Sequence, residues 1–253
     1  MADHFTEGNR ADVEALRKGS IAEMRKTIRR EDRRGAGMIR GVIFDLDGVL
    51  ATTDELHYQA WKRLAGDLGI TGFHRGDNAR QRGVSRMESL KVVLEKGEGR
   101  YTDEEMASLA KRKNEYYREL LEDLDETAVL PGAVETLIML REKGILTAVG
   151  SASENAPVIL AKPGLADFVD SICCGLEVTK SKPDPEVFIK AAGKLKLPNR
   201  SCLVVEDAVA GIQAARAAEM KTLAVGEDHN LLDADWSAPT LAEVAGWDAI
   251  LYG

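Results

Sequence analysis

The chain has 253 residues, of which 44% are hydrophobic and 30% charged, values typical of a soluble globular protein. No apolar run approaches the length of a membrane span, and the formal net charge of −8 gives no reason to expect nucleic-acid binding. The first residues lack the apolar segment of a signal peptide, and their acidic side chains argue against a transit peptide. We therefore expect a cytoplasmic protein that binds neither nucleic acid nor a membrane, and we expect it to act as a monomer.

Residues 1–37 differ from the rest of the chain. They are dense in charge and end in a basic run, residues 29–35, which includes a glycine. Apolar residues recur at helical spacing within them and could form a thin stripe on a helix: Val13, Leu16, Ile21, Met24 and Ile28. We interpret this segment as an N-terminal extension that is helical and loosely docked, or disordered. A basic arm that binds a partner is the alternative.

From residue 38 onward, short apolar runs alternate with helical stretches. The runs at 41–44, 145–149, 201–205 and 221–225 do not alternate with polar residues, which is typical of strands covered on both faces. One helical stretch begins at Asp184-Pro185, where proline fits the first turn. The pattern predicts a doubly wound parallel sheet of the Rossmann-like α/β class.

Residues 53–127 interrupt this alternation and have helical periodicity only. Two sets of apolar residues define helical faces: Ala60, Trp61, Leu64, Ala65 and Leu68, and then Met106, Leu109, Ala110, Tyr117, Leu120 and Leu124. We predict an all-helical cap domain at 53–127, inserted into a core domain formed by residues 38–52 and 128–253.

Polar side chains follow three of the predicted strands, and one lysine precedes a helix that leads back to the sheet. These residues are Asp45 and Asp47, Ser151, Glu206 and Asp207, and Lys182. Ligands of open parallel sheets bind beyond the carboxyl ends of the strands, so we expect these side chains to converge there.

The chemistry of this set indicates phosphoryl transfer. Several carboxylates close together need a hard cation, and Mg²⁺ takes oxygen ligands, waters and a substrate phosphate. A carboxylate such as Asp45 can attack phosphorus, with Asp47 as general acid and base. For Asp45 alone, a structural role at the end of a strand would be the alternative.

The same residues resemble the motifs of the haloacid dehalogenase-like superfamily, and residues 38 to about 225 resemble its β-phosphoglucomutase family in particular. The segments that carry this resemblance are 44–49, His57 with Trp61, 83–86 with Ser89, 110–114, 151–153, 181–183 and 206–214. The resemblance implies an Mg²⁺-dependent isomerase that interconverts β-glucose 1-phosphate and glucose 6-phosphate through a phospho-aspartate and a sugar bisphosphate. Residues 1–37 have no counterpart, and the last 25 residues match poorly.

The resemblance also implies roles for individual residues. Asp45 would be the nucleophile and Asp47 the acid/base; Asp45, the carbonyl of Asp47, Glu206 and Asp207 would hold magnesium, while Ser151 and Lys182 would bind the transferring phosphoryl group. Thr53 and His57 would position Asp47, and Arg86 would bind the distal phosphate, which is the one not being transferred. The remaining substrate-binding candidates are Arg82, Gly83, Val84, Ser85, Ser89, Lys113, Ala152, Ser153 and Asn155.

Structural alternatives exist for several of these residues. His57 could be an ordinary surface or core histidine, and Trp61 fits packing on an apolar helix face. Lys113 could belong to a solvated helix face with its neighbours 111 and 112. Ser153 and Asn155 could serve only to cap the following helix.

Two positions depart from the family pattern. Glu154 stands where the family has a lysine in the distal-phosphate loop, and Arg82 replaces a second lysine. Replacing that lysine by Glu154 removes a charge-assisted hydrogen bond to the phosphate. It also adds repulsion between two anions, unless the Glu154 side chain turns to solvent. This leaves a phosphatase acting on small sugar phosphates as the alternative function. A non-catalytic sugar-phosphate sensor is disfavoured because no core motif residue is missing.

Overall fold

The computed structural model of the protein describes residues 38–81 and 84–253. The predicted N-terminal extension, residues 1–37, and the substrate-binding candidates Arg82 and Gly83 lie outside the described residues. Across the described ranges, no helix is both long and apolar enough to cross a membrane.

A six-stranded parallel sheet forms the centre of the fold. Its strands are β1 (Gly41–Phe44), β2 (Leu146–Gly150), β3 (Ser171–Cys173), β4 (Cys202–Glu206), β5 (Lys221–Ala224) and β6 (Trp236–Ser237). Their order in the sheet is β3-β2-β1-β4-β5-β6, and every neighbouring pair is parallel. This confirms the predicted doubly wound sheet.

The register of β1 places the motif residues at one edge. Phe44 lies opposite Val149 of β2 and Val205 of β4, so Asp45 emerges level with the ends of both neighbouring strands. All four residues of β1 are buried, as the unbroken apolar run predicted. Strands β3 and β6, of three and two residues, were not predicted because they are too short to show a pattern.

Nine α-helices accompany the sheet in the described ranges. They are α1 (Asp54–Asp67), α2 (Arg75–Ala79), α3 (Arg86–Leu94), α4 (Asp103–Leu121), α5 (Ala133–Glu142), α6 (Ala156–Ala161), α7 (Glu186–Leu195), α8 (Val209–Ala217) and α9 (Trp247–Tyr252). Helix α7 begins at Glu186, directly after the Asp184-Pro185 pair that the sequence predicted as its start.

Helices α1, α3 and α4 share an apolar cluster. Tyr58, Trp61 and Leu64 of α1 pack with Leu90 of α3 and Leu109 of α4, while a separate cluster surrounds the sheet. The chain leaves and re-enters the sheet region at adjacent points, where the N–H of Thr52 donates to the carbonyl of Ala128 at 2.9 Å. The division into core and cap at residues 53 and 127 stays a prediction.

Candidate active site

One lysine joins two carboxylates at the carboxyl edge of the sheet. Asp45 follows β1, and its backbone N–H donates to the carbonyl of Val205 at 2.9 Å. Lys182, in the loop before α7, donates from Nζ to Oδ1 of Asp45 and, at 2.7 Å, to Oε1 of Glu206. The side chains of Lys182 and Glu206 are each 2% exposed. The convergence expected from the strand ends is present.

Burial dominates the electrostatics of this group. Loss of solvent raises the pKa of Asp45 to about 7, with the Lys182 ammonium acting in the opposite direction and Glu206 adding to the rise. Burial alone would lower the pKa of Lys182, but the carboxylates of Asp45 and Glu206 outweigh it and raise that pKa. The lysine therefore stays charged between the two carboxyl groups.

Two glycines allow the acidic side chains to come this close. Oε2 of Glu206 accepts hydrogen bonds from the N–H groups of Asp207 and Ala208, both at 2.8 Å. A Cβ on Gly211 in α8 would lie 1.7 Å from Oε1 of Glu206. A Cβ on Gly48, whose φ is +85°, would lie 2.1 Å from Oδ2 of Asp207. Any larger residue at either position would displace a carboxylate.

This donor set fits a magnesium ion that keeps much of its hydration. Within residues 38–81 and 84–253, no three His, Cys, Asp or Glu side chains form a ready-made metal cage. Mg²⁺ does not need one, since it is usually bound through one or two carboxylates, waters and a substrate phosphate. Asp45, Glu206 and Asp207 supply such carboxylates, and Lys182 offsets part of the charge of Asp45 and Glu206.

Asp47 is held by a relay of hydroxyl groups. The Thr53 hydroxyl donates to Oδ1 of Asp47, and the Tyr117 phenol of α4 donates to Oγ1 of Thr53 at 2.8 Å. Burial raises the pKa of Tyr117, so the phenol keeps its proton for this bond. Burial also raises the pKa of Asp47 to about 6, against the opposing effect of the Thr53 hydrogen bond. The Asp47 carboxyl therefore has a fixed orientation and a pKa suited to proton transfer near neutrality.

Beside this relay, the buried Lys113 lies against the partly buried His57. Nζ of Lys113 is 2.6 Å from Nδ1 of His57, and the His57 ring stacks on Tyr117 with centroids 4.0 Å apart. Nζ of Lys113 also lies 4.7 Å from the centre of the Trp61 ring. Burial lowers the pKa of Lys113 and of His57, and the charge of Arg86 adds to both effects.

This pair decides three of the structural alternatives. Lys113 is 2% exposed, so a solvated helix face is the wrong interpretation for it, although its neighbours Lys111 and Arg112 are exposed. Trp61 packs in the apolar cluster and also lines the cavity. His57 is neither a surface histidine nor an isolated core residue, because its ring touches both Lys113 and Tyr117.

The loop after β2 reaches towards the helices. Oγ of Ser151 accepts from the N–H of Ser153 at 3.1 Å, and Oγ of Ser153 accepts from the N–H of Asn155 at 3.2 Å. Asn155 makes no side-chain cap to α6; its Nδ2 donates instead to Oδ1 of Asn114 in α4 at 2.8 Å. Capping is therefore the wrong interpretation for Asn155, whose amide connects the loop to α4.

Arg86 and Glu154 form an ion pair. Nη2 of Arg86, at the start of α3, lies 3.0 Å from Oε2 of Glu154, and the two side chains are 27% and 41% exposed. The Glu154 side chain therefore does not turn fully to solvent. Its carboxylate is paired with the Arg86 guanidinium, the group to which the family resemblance assigned the distal phosphate.

A cavity of about 150 Å³ collects these groups. Its lining includes the described candidates Asp45, Asp47, His57, Val84, Ser85, Arg86, Ser89, Lys113, Ser151, Ala152, Ser153, Asn155, Lys182, Glu206 and Asp207. Thr53 does not line the cavity and acts on it through Asp47. Ser85 has a second role, since its Oγ accepts from the N–H of Glu88 and caps α3.

The structure adds lining residues that sequence reasoning missed, namely Asp54, Asn78, Gln81 and Asn114. Gln81 donates from Nε2 to the carbonyl of Ser89 at 2.8 Å, while its buried Oε1 has no hydrogen-bond partner in the described part of the chain. Tyr117 was assigned to packing only, yet it lies four residues after Lys113. That i, i+4 spacing on one helix face was a usable signal; the sequence around residues 78 and 81 offered none.

Comparison with known proteins agrees with this geometry. A model of the haloacid dehalogenase-like hydrolases matches residues 39–219. The chain is 39% identical over 199 residues to the β-phosphoglucomutase of Bacillus subtilis (strain 168), covering 78% of this chain and 88% of that protein. It is 31% identical over 185 residues to the fructose-1-phosphate phosphatase YqaB of Escherichia coli (strain K12), covering 73% and 95%. A crystal structure of β-phosphoglucomutase from Clostridium difficile matches with a TM-score of 0.77 and 36% identity, over 84% of this chain and 96% of that one. This chain belongs to the haloacid dehalogenase-like hydrolase family.

Proposed function

We propose that this enzyme is a mutase that interconverts β-D-glucose 1-phosphate and glucose 6-phosphate through a phospho-Asp45 enzyme and glucose 1,6-bisphosphate. The observation that carries the proposal is the position of Asp47, which Thr53 and Tyr117 fix beside the pair of Lys113 and His57. A mutase must deliver its phosphoryl group to a sugar hydroxyl rather than to water, so it needs a well-placed acid/base and a dry cavity.

Asp45 and Asp47 divide the chemistry between them. A carboxylate oxygen of Asp45 forms a bond to phosphorus while the bond from phosphorus to the sugar oxygen breaks, and Asp47 gives its proton to that leaving oxygen. This step takes the 1-phosphate of glucose 1,6-bisphosphate and releases glucose 6-phosphate. In the other half-reaction, Asp47 takes the proton of the 6-hydroxyl of an incoming β-glucose 1-phosphate, and that oxygen bonds to phosphorus as the bond to Asp45 breaks, which frees Asp45 and forms the next 1,6-bisphosphate. Ser151 and Lys182 bind the oxygens of the group in transit.

Magnesium would be held, directly or through water, by the carboxylates of Asp45, Glu206 and Asp207 and by the backbone carbonyl of Asp47. When bound, magnesium supplies positive charge that offsets the transferring phosphoryl group. Lys182 supplies further positive charge at the sheet edge, and its two carboxylate partners hold its ammonium in place.

The rest of the cavity binds the sugar. Val84, Ser85, Ser89, Lys113 and Ala152 line the space between the sheet edge and the helices. Arg86, with Ser153 and Asn155 opposite, would bind the distal phosphate. In this proposal residues 53–127 are the cap that closes over the sugar and excludes water.

A phosphatase acting on small sugar phosphates is the second candidate. The ion pair of Arg86 with Glu154 favours it, because a distal phosphate must compete with a carboxylate already in place. The similarity to a fructose-1-phosphate phosphatase points in the same direction. In that reaction, water takes the place of the second sugar hydroxyl and Asp47 deprotonates it.

Two parallel assays test the mutase. β-Glucose 1-phosphate is supplied with a trace of glucose 1,6-bisphosphate and Mg²⁺, and the glucose 6-phosphate formed is measured by a coupled dehydrogenase while inorganic phosphate is measured separately. We expect glucose 6-phosphate to form much faster than phosphate, and chelation of Mg²⁺ to stop both. Phosphate release without glucose 6-phosphate would refute the mutase and establish the phosphatase. A panel of other sugar phosphates then identifies the preferred sugar.

A further inference from the structure

Arg86 is the one cation of the cavity lining, within the described residues, that is not already committed to the reaction centre. The other positively chargeable lining groups are Lys182, His57 and Lys113. Lys182 is bound by Asp45 and Glu206, and Lys113 lies against His57 in a buried setting that disfavours its charge. Among the lining residues that the structure describes, Arg86 is therefore the charge partner for a second anionic group on a substrate.

Glu154 contacts Arg86 from an outer cleft and not from the catalytic cavity. Arg86 lines the catalytic cavity and also an outer cleft of about 440 Å³, whereas Glu154 lines the outer cleft only. The outer cleft is bordered by Lys111 and Lys180. The partly exposed Glu154 carboxylate thus has space to move into when it leaves the guanidinium, beside the ammonium groups of Lys111 and of Lys180, the latter paired with Asp184 at 3.2 Å.

We propose that Glu154 is a specificity-determining residue that competes with the substrate's distal phosphate for Arg86, and so lowers affinity for sugar phosphates whose non-reacting end is charged. The inference rests on the proposed function, which assigns the distal phosphate to Arg86.

The physical basis is an exchange of anions. A phosphate that takes the guanidinium must displace the carboxylate or bind next to it, and either route weakens binding relative to a vacant arginine. An uncharged sugar hydroxyl accepts from another of the five guanidinium N–H groups and leaves Glu154 in place. The two kinds of ligand should therefore respond differently when the charge of Glu154 is removed.

Binding without turnover tests this directly. We use Asp45→Asn protein with Mg²⁺, with and without Glu154→Gln, and measure the Kd by isothermal titration for glucose 1,6-bisphosphate and for p-nitrophenyl phosphate, which has no second anion. Glu154→Gln should tighten bisphosphate binding about tenfold, equivalent to about 1.4 kcal/mol, and change p-nitrophenyl phosphate binding less than about twofold. The gain should shrink as salt is added, because the pair is partly exposed.

A matched control removes the same charge from a similar pair elsewhere. Glu119 pairs with Arg63 at 2.6 Å, both side chains are more than half exposed, and neither lines the cavity. Glu119→Gln should leave both affinities unchanged. In an Arg86→Met background, Glu154→Gln should no longer tighten bisphosphate binding, because the guanidinium for which carboxylate and phosphate compete is absent.

Several results would overturn the proposal. Unchanged or weaker bisphosphate binding in Glu154→Gln would show that Glu154 does not compete, and a gain that persists without Arg86 would place its effect elsewhere. Absence of bisphosphate binding in every variant overturns it as well, because removing Glu154 then uncovers no anion site. If the affinities change as expected while the coupled assay yields no glucose 6-phosphate, the proposed mutase fails and the role of Glu154 stands.

Discussion

Two ion-paired groups in this enzyme use similar chemistry in different surroundings. The sheet-edge cluster, which comprises Asp45, Lys182 and Glu206, is buried, and its lysine side chain is 2% exposed. The rim pair, Arg86 with Glu154, has side chains 27% and 41% exposed. Removing one partner from a buried cluster leaves an uncompensated charge without water, whereas exposed pairs contribute about 0–1 kcal/mol. The comparison teaches that the reaction centre tolerates little change, while the rim is free to adjust substrate choice.

The two groups also differ in how they are anchored. Asp45 and Glu206 are placed by the register of β1 and β4, which is fixed by buried backbone ladders. Arg86 and Glu154 stand at the start of a helix and in a loop, where long side chains set the contact. The cluster is therefore preorganised, and the rim pair can separate when a ligand arrives.

The largest expected effect comes from the nucleophile. Asp45→Asn removes the carboxylate that bonds to phosphorus, so kcat should fall by more than about 10³-fold with the fold unchanged by circular dichroism. Asp123→Asn, an exposed aspartate of the same chemistry, is the control and should keep full activity. Residual turnover of Asp45→Asn well above contaminant level would remove Asp45 from its proposed role.

Lys182→Met tests whether the sheet-edge cluster depends on its buried cation. The change leaves Asp45 and Glu206 to repel each other, so the free energy of unfolding should fall by about 3–5 kcal/mol. The measurement is urea denaturation in the presence of a chelator. Added Mg²⁺ should restore part of that loss, because it returns positive charge to the site.

Lys91→Met removes an exposed lysine paired with Glu88 and should change the free energy of unfolding little. If Lys182→Met and Lys91→Met lowered the free energy of unfolding equally, the contrast between buried and exposed pairs would be contradicted.

Gly211→Ala tests the close approach of α8 to the cluster. Its Cβ would lie 1.7 Å from Oε1 of Glu206, so that carboxylate must move and the Mg²⁺ concentration for half-maximal activity should rise about 10- to 100-fold. Gly193→Ala, in helix α7, meets nothing within 4 Å and should stabilise the protein slightly with no change in the Mg²⁺ requirement. An unaltered Mg²⁺ requirement in Gly211→Ala would show that Glu206 does not serve the metal.

The smallest effect is expected from the relay that orients Asp47. Thr53→Val keeps the shape of the side chain but removes the hydroxyl between Tyr117 and Asp47, so kcat should fall about tenfold, equivalent to about 1.4 kcal/mol. KM should change little, because the hydroxyl does not touch the substrate. The neighbouring Thr52→Val alters an exposed threonine and should leave kcat as it is. Equal effects of the two variants would argue against the relay.

The sequence by itself determined the sheet, the helical stretch after β1 and the chemical set at the strand ends. The apolar run 41–44 forms β1 at the predicted residues, and the predicted face of α1 is buried at Ala60, Trp61 and Leu64. These features follow from local periodicity and from a general property of parallel sheets, that strand ends meet at one edge. Asp45 and Lys182 are therefore recognisable as neighbours although 137 positions separate them.

Only the tertiary structure decided what those side chains touch. Lys113 looks like part of a solvated helix face in the sequence, yet the packing of α4 against α1 buries it beside His57, 56 positions away. The same packing turns Tyr117 from a core residue into a hydroxyl donor to Thr53. In the sequence, Glu154 is an anion at a position where the family has a lysine; only the structure shows that Arg86 lies 3.0 Å from it. Side-chain partners on different elements depend on how those elements pack, and helical periodicity records which face is buried without recording what covers it.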